Sequence, residues 1–432
     1  MREDVVLVEL GKICNYSKGK KPKVLTKEYS EETPYPYINI KAFEHGIFDE
    51  YTDGSKCNLC EDGDLLMVWD GARAGFTGKA KKGAIGSTLM KVEPKKGIEK
   101  NYLFYFLLSL YKKLNTNPRG VGIPHVEPNL LWTSELIIPS LPEQRAIVQK
   151  IESYFALLDK GIADLTTAQE QLKTYRQAVL KKAFEGEFTN KNIKEGKLPE
   201  GWKWVKLGDV CEKAKKVKRS EKVGNESFLY LDITGIDNTI NKIVNHKSFL
   251  WKDAPSRAQQ IVKIGDTLFS TVRTYLKNIA KVESVIYENQ ICSSGFTVIR
   301  GRKEILDSKY IFHYVLSEKF LQPLNELQTG TSYPAVRDND VFSQYIPLPP
   351  TLSEQHAIVR EIESRLSVCD KVEQSISEAL EKAEALRQSI LKKAFEGGIL
   401  SEAEITACKQ EPDYEPASVL LERIKKEEKH GK

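Results

Sequence analysis

The sequence predicts an α+β protein in which two mixed α/β globules are joined by two long helices. We expect these helices to pair as an antiparallel coiled coil with pseudo-two-fold symmetry. Three observations predict this fold. A long helical segment occurs twice, each copy follows a stretch of short apolar runs separated by turn residues, and the two stretches share motifs in the same order. With 432 residues, of which 41% are hydrophobic, the chain can form more than one core.

The predicted order is globule, helix, globule, helix and tail. We place the first globule at residues 1–142 and its helix at 143–190. The second globule covers 198–352, its helix 353–398, and the C-terminal segment 399–432.

The repeat is clearest in the two helical segments. EQRAIVQKIES, from Glu143, is echoed by EQHAIVREIES, from Glu354, and RQAVLKKAFEG, from Arg176, by RQSILKKAFEG, from Arg387. Both echoes have the same offset of 211 residues, and 21 of the 44 positions from 143 to 186 are identical in the second copy. A segment that keeps its register over this length indicates one rigid element used twice.

Apolar residues recur every seven positions in both copies, as in helices that pair along a heptad seam. The seam residues are Ile151, Leu158, Leu165, Leu172 and Val179 in the first copy and Ile362, Cys369, Ile376, Ala383 and Ile390 in the second. Ile147, Tyr154, Ala168 and Tyr175 fall on the other apolar position of the first copy. Each copy begins after prolines and ends at a glycine. A helix of this length spans on the order of 65 Å, so it is a spacer.

The globules echo each other more weakly. LGKIC, from Leu10, is similar to LGDVC, from Leu207, and each is followed by a lysine-rich loop. DGDLLMVW, from Asp62, is similar to IGDTLFST, from Ile264. Gly122-Ile-Pro124 precedes the first helix much as Ser332-Tyr-Pro334 precedes the second. The apolar runs are short and bounded by Gly, Asp and Lys, which is typical of strands in a mixed globule.

An antiparallel pair of equivalent helices has an approximate two-fold axis, and this axis would relate the two globules by a half-turn. Paired DNA-reading units related in this way address separated half-sites on a duplex. Because the globules differ at most positions, the two half-sites should differ as well. The pattern therefore predicts an asymmetric, bipartite DNA target.

Composition restricts the remaining classes. The net charge is only +5 and the pI about 8.5, which permits DNA binding without indicating it. No long apolar run or secretion signal is present, so we expect a cytoplasmic protein without a membrane span. The seven cysteines lack a disulfide or zinc pattern; Cys57 and Cys60 have zinc-like spacing but no further ligands nearby, so no metal is expected.

The two helical echoes, the intervening LPEGWKWVKLGD and the tail segment EPASVLLERIKKEEK resemble the specificity subunits of Type I restriction–modification enzymes over essentially the whole chain. The resemblance implies two target-recognition domains that bind double-stranded DNA. It also implies spacer helices that dock two methyltransferase subunits, and recruitment of ATP-dependent restriction subunits. In that family the partner methylates adenine at N6 with S-adenosylmethionine.

The chain itself is expected to be non-catalytic. It contains neither an Asp/Asn-Pro-Pro-Tyr/Phe motif, which adenine methyltransferases use, nor a phosphate-binding loop. We therefore expect S-adenosylmethionine, ATP and magnesium on partner subunits. Two alternatives stay open: a recognition subunit for a fused methylase–nuclease partner, and a coiled-coil scaffold without DNA specificity.

Candidate DNA contacts occur at equivalent places in the two globules. Basic loops that could neutralise phosphates contain Lys18, Lys20, Lys21 and Lys23 in the first globule and Lys213, Lys215, Lys216, Lys218 and Arg219 in the second. Trp69, Arg73 and Arg273 follow predicted strands, where arginine could bind guanine or a phosphate. His125 and Tyr333 lie in the turns before the helices. Solvated loops for the lysines, core packing for Trp69 and an incidental turn position for His125 are the alternatives.

Overall fold

The computed structural model describes residues 5–120, 122–191, 193, 196–330 and 332–430, except for the side chains of Arg219, Lys425 and residues 427–430. The chain divides into two compact units. Unit 1 comprises Met1–Leu165 and Glu378–Lys432, and unit 2 comprises Thr166–Ser377. Each unit therefore contains one globule, part of each long helix and its own core.

Unit 1 combines two four-stranded sheets and a two-stranded sheet with helices. Its strands are β1 (Val6–Glu9), β2 (Cys14–Lys18), β3 (Tyr35–Ile38), β4 (Tyr51–Thr52), β5 (Leu59–Cys60), β6 (Leu65–Val68), β7 (Thr77–Lys79), β8 (Gly83–Ile85), β9 (Leu89–Pro94) and β10 (Glu135–Ile138). Its globule contains the helices α1 (Ile40–His45), α2 (Lys100–Thr116) and α3 (Pro128–Trp132), and it is followed by the first long helix, α4 (Leu141–Phe184).

Unit 2 has the same kinds of element. Its strands are β11 (Lys203–Lys206), β12 (Cys211–Glu212), β13 (Ser227–Leu231), β14 (Ile236–Asp237), β15 (Lys242–Ile243), β16 (Lys247–Leu250), β17 (Ala258–Ile261), β18 (Thr267–Ser270), β19 (Ile279–Lys281), β20 (Ile291–Ser293), β21 (Phe296–Gly301) and β22 (Tyr345–Leu348). Its helices are α5 (Leu207–Val210), α6 (Ser308–Val315), α7 (Glu318–Glu326), α8 (Asp338–Phe342) and the second long helix, α9 (Leu352–Phe395).

The two units share one sheet topology. The strand orders β2-β9-β6-β7 and β4-β3-β8-β5 in unit 1 correspond to β12-β21-β18-β19 and β16-β13-β20-β17 in unit 2. In both units the second of these sheets contains one parallel pair, β3 with β8 and β13 with β20. The prediction of two related α/β globules is therefore confirmed, although their side chains differ at most positions.

The long helices run antiparallel within unit 1. Ile147 and Ile151, near the start of α4, share a core with Leu391 and Ala394, near the end of α9. Further along α4, Asp159 forms an ion pair with Arg387. Successive contacts therefore move toward the C-terminus of α4 and toward the N-terminus of α9, as in an antiparallel pair.

Unit 2 repeats the same contact with the roles of the helices exchanged. Arg176 of α4 lies 2.7 Å from Asp370 of α9. Arg176 is the repeat equivalent of Arg387, and Asp370 is the equivalent of Asp159. Because an arginine of one copy pairs with an aspartate of the other in each unit, the predicted antiparallel pairing is confirmed.

The seam residues proposed from the heptad pattern are all buried or half-buried. The assignment of the other apolar position, however, was wrong at two residues. Tyr154 and Tyr175 are 40% and 44% exposed, whereas Phe155, one residue further along, packs against the unit 1 core. After Ile151, the next residue that α4 turns inward is Phe155, four positions on, and not Tyr154, three positions on. The inward face of α4 packs against the globule as well as against α9, and both contacts set its direction.

The repeated Glu-Gln motif explains how each long helix is fixed to its globule. Buried Gln144 accepts a hydrogen bond from the backbone N–H of Glu99, the N-cap of α2. Buried Gln355 does the same for Asp307, the N-cap of α6, and donates to the carbonyl of Ile305 at 2.9 Å. The repeated motif therefore marks a structural joint between the long helix and its globule, one in each unit.

The C-terminal segment packs on unit 1. It forms α10 (Glu402–Cys408) and α11 (Ala417–His430), and α11 places Leu420 and Ile424 in the unit 1 core. Glu404 of α10 binds Lys150 of α4 at 2.6 and 2.7 Å. The hydrogen bonds from Lys150 and from Ser401 lower the pKa of Glu404 to about 2.

Among the described residues, no helix is both long enough and apolar enough to cross a membrane.

Candidate nucleic-acid interface

In unit 1, the loop after the central strand β6 meets a hairpin that contains Pro124. We call the described residues 119, 120 and 122–125 the unit 1 hairpin. It is closed by two backbone hydrogen bonds between Arg119 and His125, of 2.9 and 3.0 Å. The N–H of Gly71 in the loop donates to the carbonyl of Pro124 at 2.8 Å, and Asp70 bridges to His125. Loop and hairpin therefore form one continuous surface.

A predicted lysine and a predicted histidine meet at this surface through an aspartate that the sequence did not single out. Lys18, at the end of β2, lies 2.9 Å from one carboxylate oxygen of Asp70. His125 Nδ1 lies 2.7 Å from the other. Lys20, Lys21 and Lys23 follow Lys18 and are exposed. The cluster thus presents positive charge beside the hairpin.

The other two predicted residues of unit 1 have protein partners. Trp69 is half-buried and stacks on Trp132 with ring centroids 6.4 Å apart, as the core-packing alternative requires. The guanidinium of Arg73 lies 2.8 Å from Glu44 and 4.0 Å from the Phe76 ring centroid. Arg73 would have to leave Glu44 to make a paired contact with guanine.

Unit 2 builds the same arrangement after its central strand β18. The described residues 329, 330 and 332–335 form the unit 2 hairpin, which backbone hydrogen bonds of 3.0 and 3.1 Å between Thr329 and Ala335 close. The N–H of Arg273 donates to the carbonyl of Pro334 at 2.7 Å. The Arg273 side chain then donates to the Ser332 carbonyl at 3.0 Å and lies 4.9 Å from the centroid of the Tyr333 ring.

These contacts show which positions of the two loops are equivalent. Pro124 is approached by Gly71 and Pro334 by Arg273, so Arg273 occupies the place of Gly71. Both have positive φ, +120° for Gly71 and +49° for Arg273. Arg273 keeps a left-handed backbone that usually favours glycine.

Each hairpin projects one large apolar side chain directly before its proline. Tyr333 is 72% exposed and Ile123 is 64% exposed. Tyr333 was predicted as a contact, whereas Ile123 was missed. The signal for Ile123 was available, because Gly-x-x-x-Pro spacing is shared by both hairpins and aligns Ile123 with Tyr333.

The basic segment of unit 2 is held on a sheet edge. Lys216 bridges to Gln260 of β17, and Lys213, Lys215 and Lys218 are also exposed. Lys218 lies 3.0 Å from Glu221, so part of its charge is offset. The side chain of Arg219 lies outside the described residues. Exposed lysines on a fixed strand can bind phosphates without reading bases.

Within the described part of the chain, no group of three or more His, Cys, Asp or Glu side chains is arranged to hold a metal ion. All seven cysteines are free thiols. The side chains gathered here are suited to binding through charge, stacking and hydrogen bonding.

Comparison with known proteins gives a consistent result. Residues 2–167 and 199–382 each match the model of the Type I restriction modification DNA specificity domain. The chain is 30% identical over 401 residues to the Type I restriction enzyme MjaVIII specificity subunit of Methanocaldococcus jannaschii, covering 90% of this chain and 92% of that protein. It is 27% identical to the EcoDI specificity subunit of Escherichia coli, covering 97% and 94%.

A solved structure shares the fold. It is described as "Structural basis underlying complex assembly and conformational transition of the type I R-M system". One of its chains superposes with a TM-score of 0.67 at 20% identity, covering 92% of this chain and 99% of that one.

Proposed function

The chain belongs to the family of Type I restriction modification DNA specificity proteins, and from that premise we propose that it reads a split DNA target without catalysing a reaction itself. Unit 1 and unit 2 each contact one half-site in double-stranded DNA. The observation that carries this proposal is the hairpin and loop built twice on one topology, with Ile123 at one tip and Tyr333 at the other. Different tips favour different half-sites.

We assign the contacts by their chemistry. The exposed lysines near Lys18 and Lys216 bind phosphates through their charge and so position the units on the duplex. These contacts carry no sequence information, so the bases are read elsewhere. The tips reach the groove, where an isoleucine can contact a thymine methyl and a tyrosine can stack on or hydrogen-bond to a base. Arg273 lies beside Tyr333 and is the candidate for a guanine contact in unit 2.

The partners follow from the family. We propose that the paired long helices and the C-terminal segment dock two methyltransferase subunits and ATP-dependent restriction subunits. S-adenosylmethionine, ATP and magnesium then belong to those subunits. A complex that uses chromosomal DNA and ATP would act in the cytoplasm.

The test is a map of methylated adenines in cells with and without this gene, together with two variants. Tyr333→Ile copies the unit 1 tip into unit 2 and should change or relax one half-site while leaving the other intact. Tyr345→Ile is the control, because Tyr345 is also exposed in unit 2 but lies on β22. Methylation that does not depend on the gene, or one pattern for both variants and the native protein, would contradict the proposed reading by the hairpin tips.

A further inference from the structure

We propose that unit 1 contains a binding site for an indole ring, at the place where unit 2 holds the side chain of its own Trp202. The proposal concerns the base of the globule, where β1, β10 and the ends of the long helices in unit 1 meet. It rests on the internal repeat and does not depend on how the hairpins read DNA.

Unit 1 has a cavity of about 290 Å³ at this base. Its wall is mainly apolar and includes Val5, Ile137, Ile147, Ala394 and Ile399, with the Glu143 carboxyl at one side. An apolar protein cavity of roughly 150 Å³ is large enough to bind benzene. The unit 1 cavity is therefore large enough for a bicyclic aromatic ring.

The equivalent place in unit 2 can be identified from the strand registers. Buried Tyr102 of α2 donates to the carbonyl of Ile137 in unit 1, at 2.7 Å. Buried Tyr310 of α6 donates to the carbonyl of Pro347 in unit 2, also at 2.7 Å. Ile137 pairs with the second residue of β1 and Pro347 with the second residue of β11. The residues directly before these strands, Val5 and Trp202, are therefore equivalent.

Trp202 fills this place in unit 2. It is only 7% exposed, and its indole N–H donates to Glu354 at 3.1 Å. Glu354 is the repeat equivalent of Glu143, so both units supply a carboxylate at the same position. Glu354 also accepts from Thr189 and Asn190, which shows that a carboxylate here can accept several donors.

The surroundings of the glycine that ends each long helix show how closely the two sites are packed. A Cβ on Gly186 would meet Pro199 at 2.3 Å and the Trp202 ring at 3.4 Å. Among the described atoms, a Cβ on the equivalent Gly397 would meet Ile137, at 3.9 Å. The glycine backbones are alike, with φ of +85° and +81°, but in unit 1 no described residue takes the place that Pro199 and Trp202 have in unit 2.

This comparison specifies the chemistry of the occupant. A flat, apolar, bicyclic ring with one N–H donor matches the unit 2 example. Two sources can supply such a ring: free indole, or a tryptophan side chain of a partner subunit.

The first measurement is thermal unfolding and calorimetric titration of the full-length chain with indole as the probe. The melting temperature should rise with indole concentration. Val5→Trp, which copies unit 2, should raise the melting temperature and abolish the indole-dependent shift. Leu7→Trp is the matched control: it copies Trp204, and both native side chains are about equally exposed, at 38% and 40%. This control should retain the indole shift.

The absence of an indole shift in the native chain, or an equal shift in Val5→Trp, would overturn the proposal. Val5→Phe supplies a smaller ring for the same comparison should the tryptophan variant fail to fold. Trp202→Val gives an independent check, because it should empty the equivalent site in unit 2 and lower the melting temperature. Added indole should then raise the melting temperature of this variant again.

Assembly of the complex distinguishes the two sources. A partner tryptophan would be excluded by Val5→Trp, so this variant would bind methyltransferase or restriction subunits more weakly than Leu7→Trp. Equal assembly of the two variants assigns the site to free indole. DNA binding by the isolated chain should be the same for both variants, so failure of the DNA-reading proposal would be recognised separately.

Discussion

Neutralising the basic segment of unit 2 should weaken binding to all DNA sequences in a salt-dependent way. The change is Lys213→Gln, Lys215→Gln and Lys216→Gln in one chain, because these three side chains are exposed on a segment held against β17. Lys218 is left unchanged, since it already faces Glu221. A plot of the logarithm of the binding constant against the logarithm of the salt concentration falls with a slope whose magnitude decreases by about 0.9 for each lost phosphate contact. Three contacts would lower it by at most about 2.7.

The consequence for affinity can be worked out from this slope. Between about 50 and 200 mM salt, the ratio of native to variant affinity should fall by about 40-fold, because the variant has fewer counterions to displace. The assay is fluorescence anisotropy with specific and non-specific duplexes over that salt range. A matched control is Lys160→Gln, which removes a charge from an exposed position of α4. An unchanged slope with altered base preference would refute the assignment of these lysines to phosphates.

Four further outcomes are expected. Gln355→Ala should cost about 2–5 kcal/mol in urea unfolding, since it leaves two backbone groups without their partner, whereas exposed Gln149→Ala should be nearly neutral; equal effects would contradict the joint. Gly161→Ala should stabilise α4 by about 0.5–1 kcal/mol, because a Cβ there meets nothing within 4 Å, and a lower melting temperature would count against this. The contact of α10 with α4 should weaken as the pH falls from about 4.5 toward 2, since protonation of Glu404, whose pKa is lowered by Lys150 and Ser401, removes its ion pair with Lys150; protection of the α10 amides from hydrogen exchange that is independent of pH would refute it. A fragment of residues 1–195, supplied with its methyltransferase, should dimerise through its own helix and modify a palindromic interrupted site, and methylation mapping that finds asymmetric sites would disprove the symmetry argument.

The sequence by itself determined the repeat, the long helices and their antiparallel pairing. It could do so because these features depend on periodicity and on chain-end signals, which are local properties of the sequence. The shared offset also implies that a contact made in one unit recurs in the other, as the pairs Arg176–Asp370 and Arg387–Asp159 do. The sequence also identified the lysine-rich segments as exposed, since a run of lysines is too polar to be buried.

The tertiary structure alone decided which side chains are available at the candidate interface. It engaged Arg73 with Glu44 and stacked Trp69 on Trp132. These outcomes depend on residues distant in the chain, so no local pattern specifies them. For the same reason the inward face of α4 was misjudged by one residue at Tyr154: the heptad pattern defines a stripe, and only packing against the globule fixes the rotation of that stripe.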